Sequence, residues 1–210
     1  MTPSTPVHPL WLRGTHWLNV IAVVVMVGSG WRIYDNVPIF PFRFPFWMTI
    51  GGNPFNSLAT SNDPGTANAI AWHFAAMWVL GINFLVMLAN GLVTRHYRRD
   101  LLPLTPRMLL RDVRAALTFR LDHHAPGYNA VQKAFYLFVL VALAGMIASG
   151  LAIWKPVQFA PLTAFFGGFQ GARLVHFLLM SSLVGFLIVH LMLVALVPST
   201  LRGMTIGRRP

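Results

Sequence analysis

The sequence predicts an all-α fold, an integral membrane four-helix bundle whose helices run up-down-up-down. Two observations predict it. The chain of 210 residues is 56% hydrophobic and only 10% charged, whereas soluble domains carry about 25% charged residues. Its apolar residues also gather into four stretches, each long enough at ~1.5 Å per helical residue to cross a hydrocarbon core of ~30 Å. The length suits a single domain over 1–210 rather than two.

The four predicted spans cover about 10–33, 68–93, 129–153 and 172–197. Between the second and the third, residues of about 106–121 have the pattern of an amphipathic helix lying on the membrane surface. Thr105 and Pro106 would begin this helix as its N-cap and first helical residue. The connection 34–67 is rich in Phe, Pro and Gly, which is consistent with either an aromatic belt at the lipid headgroups or a docking surface.

The charge pattern predicts the orientation. The net charge is +11, but the basic residues lie beside apolar spans, which indicates contact with anionic membrane lipid and not with nucleic acid. Twelve of the 16 Lys and Arg residues lie in or next to the two tails and the connection between the second and third spans. The positive-inside rule then places both termini in the cytoplasm. Cysteine is absent, which excludes disulfides, cysteine-held iron–sulfur clusters and c-type haem attachment.

Two histidines interrupt the fourth span, His176 and His190, 14 residues apart. Because a helix has ~3.6 residues per turn, both imidazoles leave one face of it, roughly 21 Å apart along the axis. An ionisable side chain within a span is a functional-site hypothesis that needs a partner. The predicted orientation pairs His190 with His16 near the cytoplasmic surface, and His176 with His73 near the outer surface.

For any single histidine, a hydrogen bond to a neighbouring helix explains the residue about as well as a ligand role does. Two depth-matched pairs favour bis-histidine ligation of two haems b between helices 1, 2 and 4. The irons would be held by His16 with His190 and by His73 with His176. The remaining histidines are expected to be solvated or to face the headgroups; they are His8, His96, His123 and His124.

At these residues the chain resembles the bacterial b-type dihaem cytochrome subunits of the cytochrome b561 superfamily. Within it, the chain is most similar to the thiosulfate-reductase cytochrome b subunits, which are related to the membrane subunits of formate dehydrogenase and nickel–iron hydrogenase. The likeness covers nearly the whole chain. Its motifs are HPLWLRGTHWLN at 8–19, GWRIYDNVPIFPFRFP at 30–45, AWHFAAMW at 71–78, RRDLLPLTPR at 98–107, YNAVQK at 128–133, SGLAIWKPVQ at 149–158 and ARLVHF at 172–177.

The resemblance implies haem ligands on helices one, two and four, which carries onto His16, His73, His176 and His190. It also implies a multi-pass subunit of the bacterial inner membrane that passes electrons between a membrane quinone and a catalytic subunit on the periplasmic side. For this group the catalytic subunit is a molybdopterin oxidoreductase, often of the sulfite-oxidase type. The chain would then be an electron-transfer subunit and not the one that converts substrate, with the direction of electron flow left open.

A quinone site is predicted where the third span begins, at the cytoplasmic end. Residues 129, 132 and 133 share one helix face, and hydrogen-bond donors there would suit the quinone carbonyls. An equally acceptable explanation is an ordinary helix start, with an N-cap at 129 and a lysine reaching the headgroups. The predicted quinone residues are Tyr128, Asn129, Gln132 and Lys133.

Two arginines are predicted as partners of haem propionates, Arg13 beside His16 and Arg173 beside His176. Arg13 lies one turn before His16 and would also reach the quinone region.

Two other classes of function stay open. A stand-alone superoxide:quinone oxidoreductase of the same superfamily would take electrons at the outer surface, where Lys155 and Arg173 offer positive charge. A proton or metal transporter would use the histidines without haem. Colour separates the transporter from the other two, because a haem b protein is red.

Overall fold

The structure is a computed structural model that describes residues 10–52, 64–118 and 128–207. Helices make up most of this part of the chain, as the predicted all-α class requires. They are α1 Leu10–Asn36, α2 Pro64–Val93, α3 Pro106–Leu117, α4 Ala130–Trp154, α5 Ala160–Phe165, α6 Gly168–Leu196 and α7 Ser199–Thr205.

Within the described ranges, four helices are long and apolar enough to cross a membrane: α1, the part Thr66–Val93 of α2, α4 and α6. Their large apolar side chains are mostly exposed, including Leu85, Val141, Leu191 and Met192. Soluble proteins rarely expose apolar surface on this scale, because contact with water is unfavourable. Lipid is the solvent that this surface fits. The predicted fold class, an all-α membrane protein built on four long helices, is therefore confirmed.

The helices extend past the apolar stretches that predicted them. α1 continues to Asn36 beyond the predicted 33, and α6 begins at Gly168, before the predicted 172. The apolar pattern marks the part of a helix that lies in lipid, whereas the backbone hydrogen bonds continue into the more polar interface. The helix predicted over about 106–121 is α3, and the Thr105 hydroxyl accepts a hydrogen bond from Met108 N at 3.3 Å, as expected of an N-cap. Its position on the membrane surface stays a prediction. Residues 119–121 of the prediction lie outside the described ranges.

Two short helices, α5 and α7, lie where the sequence predicted a loop and a basic tail. α5 is tied to the end of α4, because the Thr163 hydroxyl donates to Ala152 O at 3.2 Å. Helices this short contain too few turns for hydrophobic periodicity to reveal them.

The chain divides into two compact units. The first contains the described parts of Met1–Asn83 and Leu187–Pro210, and the second is the described part of Phe84–Phe186. The prediction of a single domain over 1–210 stays a prediction.

In the first unit, polar side chains connect α1 with α2 and with α7. Asn83 Nδ2 donates to Thr15 O at 3.1 Å and to Asn19 Oδ1 at 3.0 Å. Trp17 Nε1 donates to Met204 O at 3.1 Å. These bonds satisfy polar groups that lipid could not satisfy.

The described part of the connection 34–67 folds back onto the end of α1. Ile50 N donates to Gly28 O at 3.0 Å. The Phe44 ring stacks on Trp31 at a centroid distance of 4.5 Å. Trp47, by contrast, is 80% exposed. Residues 53–63 lie outside the described ranges, so the docking role of the whole connection stays a prediction.

In the second unit, α3 is joined to the start of α4. Asp112 Oδ2 accepts a hydrogen bond from Ala130 N, the first residue of α4, at 2.8 Å. Asp112 is buried, and its other oxygen accepts from Arg111 Nε at 2.9 Å. The Ala130 amide first, and then the Arg111 guanidinium, lower the pKa of the Asp112 carboxyl below its usual 3.8.

Replacing Asp112 with Ala should destabilise the second unit, because the buried Ala130 amide loses its acceptor. Hydrogen bonds to charged groups contribute about 1.5–3 kcal/mol. We expect a lower thermal midpoint by circular dichroism in detergent. The ionised Asp112 carboxylate stabilises the fold fully above its usual pKa of 3.8, and this stabilisation is lost as the pH falls through the lowered pKa of the folded state. The difference in thermal midpoint between variant and wild type should therefore shrink in acid. Arg111→Ala is the matched control, because this guanidinium is exposed and should matter little. Equal destabilisation by both variants would contradict the role of the Ala130 bond.

Candidate functional site

In the first unit, α1 and α6 bring His16 and His190 together. Their ring centroids are 6.4 Å apart, and the ring planes meet at 63°. Trp17 places its ring edge-on to His16 at 5.6 Å. The sequence predicted this pair from matched depth alone.

The separation of the two rings fits one metal ion between them. A histidine nitrogen binds a transition metal at about 2 Å, and each ring centroid lies about 1 Å behind its nitrogen. Two imidazoles on opposite sides of one metal therefore need centroids about 6 Å apart. The observed distance of 6.4 Å meets this requirement.

His73 lies on α2 and contacts the last third of α1. Its Nδ1 is 3.0 Å from Ser29 Oγ, and Ser29 is fully buried. Gly30 follows the serine, and a Cβ atom there would lie 3.3 Å from His73 Cε1. The glycine therefore lets the imidazole lie against the backbone of α1.

His176 has the same environment in the second unit. Its Nδ1 is 3.0 Å from Ser149 Oγ on α4, and Ser149 is also fully buried. A Cβ atom at Gly150 would lie 3.4 Å from His176 Cε1. A Ser-Gly dipeptide thus supports one histidine in each unit. The sharing of one iron by His73 and His176 involves both units and stays a prediction.

The predicted propionate partners both have hydrogen bonds within the protein. Arg13 donates to the carbonyl oxygens of Met204 and Thr205 in α7. Arg173 donates to Gln170 Oε1 at 2.8 Å. Their roles toward propionates stay predictions.

At the predicted quinone site, the structure contains the helix start that the sequence left as an alternative. Asn129 caps α4: its side chain accepts from Gln132 N at 2.8 Å, and Asn129 N donates to Gln132 Oε1 at 3.1 Å. These two bonds form a capping box. The Tyr128 ring lies 5.6 Å from Tyr136. The quinone role of Tyr128, Asn129, Gln132 and Lys133 stays a prediction.

The sequence did not single out Ser29, Ser149 or the burial of Arg32. Arg32 is 1% exposed, and its guanidinium carbon lies 5.8 Å from the centroid of the Phe46 ring. The available signal for the serines was the dipeptide Ser-Gly, which recurs in the later half of the first and third spans.

The expectation that His96 is solvated or faces the headgroups stays a prediction, and the structure shows which groups it contacts. Its Nδ1 is 2.6 Å from Asp100 Oδ2, and its ring packs near Tyr97 and Tyr128. His8, His123 and His124 lie outside the described ranges.

Long apolar helices that bring two imidazoles close together are an arrangement that the membrane-bound b-type cytochromes require. Residues 7–207 match the family described as prokaryotic cytochrome b561, and the chain belongs to this family. It is also 44% identical over 202 residues to a protein of Azospira oryzae, with 96% of each chain covered. That relative carries the provisional name protein-methionine-sulfoxide reductase subunit YedZ1. The predicted b561-type membrane cytochrome is confirmed, and with it a multi-pass membrane protein.

Membership of the family implies haem b, and the residues present fit this group. The spacing of His16 and His190 suits one iron. The apolar helices also provide a low-dielectric environment. Burial and the identity of the iron ligands are the means by which proteins control the redox chemistry of haem.

Gly30→Ala and Gly150→Ala should disturb the histidines, because each new methyl group would press on an imidazole at 3.3 or 3.4 Å. Overpacking typically costs about 1–3 kcal/mol, so we expect lower haem retention and a lower thermal midpoint. Gly81→Ala and Gly185→Ala are matched controls within spans, where a Cβ would meet no described atom within 4 Å. These should be neutral or slightly stabilising, because Ala favours helix. Controls as damaged as the test variants would contradict this close-packing role.

Proposed function

We propose that this membrane cytochrome is the electron-transfer subunit of an oxidoreductase complex. It would pass electrons between membrane quinone and a periplasmic catalytic subunit through two bis-histidine haems b. The observation that carries the proposal is the spacing of the His16 and His190 rings, which suits a single iron. The buried serine contacts of His73 and His176 support two further ligands.

The protein's contribution would be to hold four imidazoles on long apolar helices. His16 and His190 would ligate one iron, and His73 and His176 the other. Haem b supplies, when bound, an iron couple that takes up and releases one electron. His176 and His190 lie 14 residues apart on α6, so the two ligand pairs would lie at two depths and form a path across the membrane.

The relative's name supports a particular partner. That relative is named as a subunit of a protein-methionine-sulfoxide reductase, so the partner of this chain would reduce methionine sulfoxide in proteins. Converting a sulfoxide to a thioether and water consumes two electrons and two protons. Electrons would then run from quinol through this chain to the partner. A molybdopterin cofactor in that partner, and the finer likeness to thiosulfate-reductase cytochromes, rest on the sequence resemblance alone.

The charge pattern supports the orientation. With both termini in the cytoplasm, His73 and His176 would lie toward the periplasmic partner and His16 and His190 toward the quinone. The start of α4 would then lie at the quinone end, where Tyr128 and Lys133 offer donors beside the capping box.

Single histidine variants test the two haems. His16→Ala and His190→Ala should each lose one haem, and His73→Ala and His176→Ala should each lose the other, because each iron would lose one of its two histidine ligands. The pyridine haemochrome assay on purified protein should give two haems for wild type and one for each variant, with the lost spectral component shared within each pair. His96→Ala is the control and should keep both, because its Nδ1 contact is with Asp100. A wild-type protein with one haem or none would refute the proposal.

The quinone site is tested by variants that leave the capping box in place. Gln132→Glu keeps the acceptor oxygen that receives the Asn129 N–H bond but removes the amide donor. We expect this variant and Lys133→Leu to slow haem reduction by duroquinol several-fold with both haems retained. Arg173→Leu is the control at the opposite predicted surface. If duroquinol reduces the first two at the wild-type rate while Arg173→Leu blocks the reaction, the quinone binds at the other side.

A further inference from the structure

Two histidines, one in each unit, make the same hydrogen-bond contact with a buried serine. We propose that Ser29 and Ser149 are positioning residues that fix the tautomer and donor strength of His73 and His176 as iron ligands. The inference rests on the proposed function, because it concerns what these imidazoles offer to a haem.

The direction of each hydrogen bond follows from the serine's own backbone contact. Ser29 Oγ lies 2.5 Å from Val25 O, and Ser149 Oγ lies 2.7 Å from Gly145 O, each one turn earlier on the same helix. A hydroxyl has one proton to donate and two lone pairs to accept with. Because a carbonyl oxygen can only accept, the hydroxyl proton goes to the backbone. The serine oxygen is then the acceptor of the bond to the imidazole.

The imidazole must therefore carry its proton on Nδ1. In a neutral imidazole one nitrogen donates and the other has the lone pair, so Nε2 becomes the nitrogen able to bind a metal. The hydrogen bond at one ring nitrogen is what selects the tautomer at the other. His73 and His176 are thereby both prepared as Nε2 ligands.

The glycine after each serine completes the arrangement. A Cβ at Gly30 would lie 3.7 Å from His73 Nδ1, and one at Gly150 would lie 3.8 Å from His176 Nδ1. The Ser-Gly pair thus supplies an acceptor and a flat backbone surface to one ring edge. A serine that only filled space would not need the same 3.0 Å contact to the same ring nitrogen in both units.

When Nδ1, the ring nitrogen that does not bind iron, donates a hydrogen bond, Nε2 becomes a more basic ligand. A more basic imidazole stabilises the oxidised iron, which lowers the midpoint potential. Removing the serine oxygen should therefore raise the potential of the haem that His73 and His176 hold. Losing such an orienting partner typically weakens metal binding about 10–100-fold, so haem should also dissociate faster.

The test is an optical redox titration of the purified protein in detergent, with Ser29→Ala and Ser149→Ala compared with wild type. We expect both variants to raise the midpoint potential of the same haem, with the other haem as an internal reference. Haem transfer to apomyoglobin should be about tenfold faster for that haem. Ser29→Thr and Ser149→Thr keep a hydroxyl and should restore wild-type behaviour.

Ser182→Ala is the matched control. Ser182 also donates to the carbonyl one turn earlier, at 2.8 Å from Leu178 O, but it is exposed on α6. Its removal should leave both potentials unchanged. Wild-type potentials in both serine-to-alanine variants, or an equal shift in Ser182→Ala, would overturn the proposal.

Loss of haem from a serine variant would also distinguish a positioning role from a packing role. If an alanine variant loses one haem while the corresponding Thr variant keeps both, the proposal is supported, because a histidine without its hydroxyl partner would be too poorly oriented to hold haem. Loss of both haems in Ala and Thr variants alike overturns it, because that result marks a packing role. Failure of the proposed function would give a different result. The wild type would then bind fewer than two haems, or His73→Ala and His176→Ala would bind as many haems as the wild type.

Discussion

A polar side chain on a lipid-facing helix must find its hydrogen bonds inside the protein, and the described structure depends on this constraint. Hydrocarbon offers no donors or acceptors, so each unsatisfied group costs several kcal/mol. Asn83 meets the requirement by bonding to Thr15 and Asn19 across two helices. Ser29 and Ser149 meet it by bonding both to their own helix and to a histidine. Polar groups within the spans therefore determine which helix faces meet.

This constraint explains why the sequence predicted the spans and the candidate ligands. Lipid selects long apolar stretches, so composition alone revealed α1, α2, α4 and α6. A histidine in such a stretch is easily recognised as a candidate ligand, because an ionisable side chain in hydrocarbon is costly and is kept mainly where it has a function. Matched depth then sufficed to pair His16 with His190, whose rings lie 6.4 Å apart.

The serine and glycine contacts were not predicted, because these residue types do not differ from their apolar surroundings as clearly as a histidine does. A serine or glycine in a span indicates close packing, a backbone bond or nothing particular, and the sequence does not distinguish these. The histidine bonded to Ser29 is 44 residues away, and the one bonded to Ser149 is 27 residues away. Only tertiary structure connects such positions. The Asn129–Gln132 box is a local pattern, so it was open to prediction, and the sequence did name a helix cap there as the alternative to a quinone site.

The unequal spacings of the two serine–histidine contacts have a consequence for how this chain can vary. The local geometry is the same in both cases, with 3.0 Å between Oγ and Nδ1, although one connection is 17 residues longer than the other. Most of the extra residues lie in the segment between α1 and α2, which carries the exposed Trp47. Loops tolerate insertion far better than packed helices do. The segment between these two helices can therefore differ in length without moving the serine or the histidine that it connects.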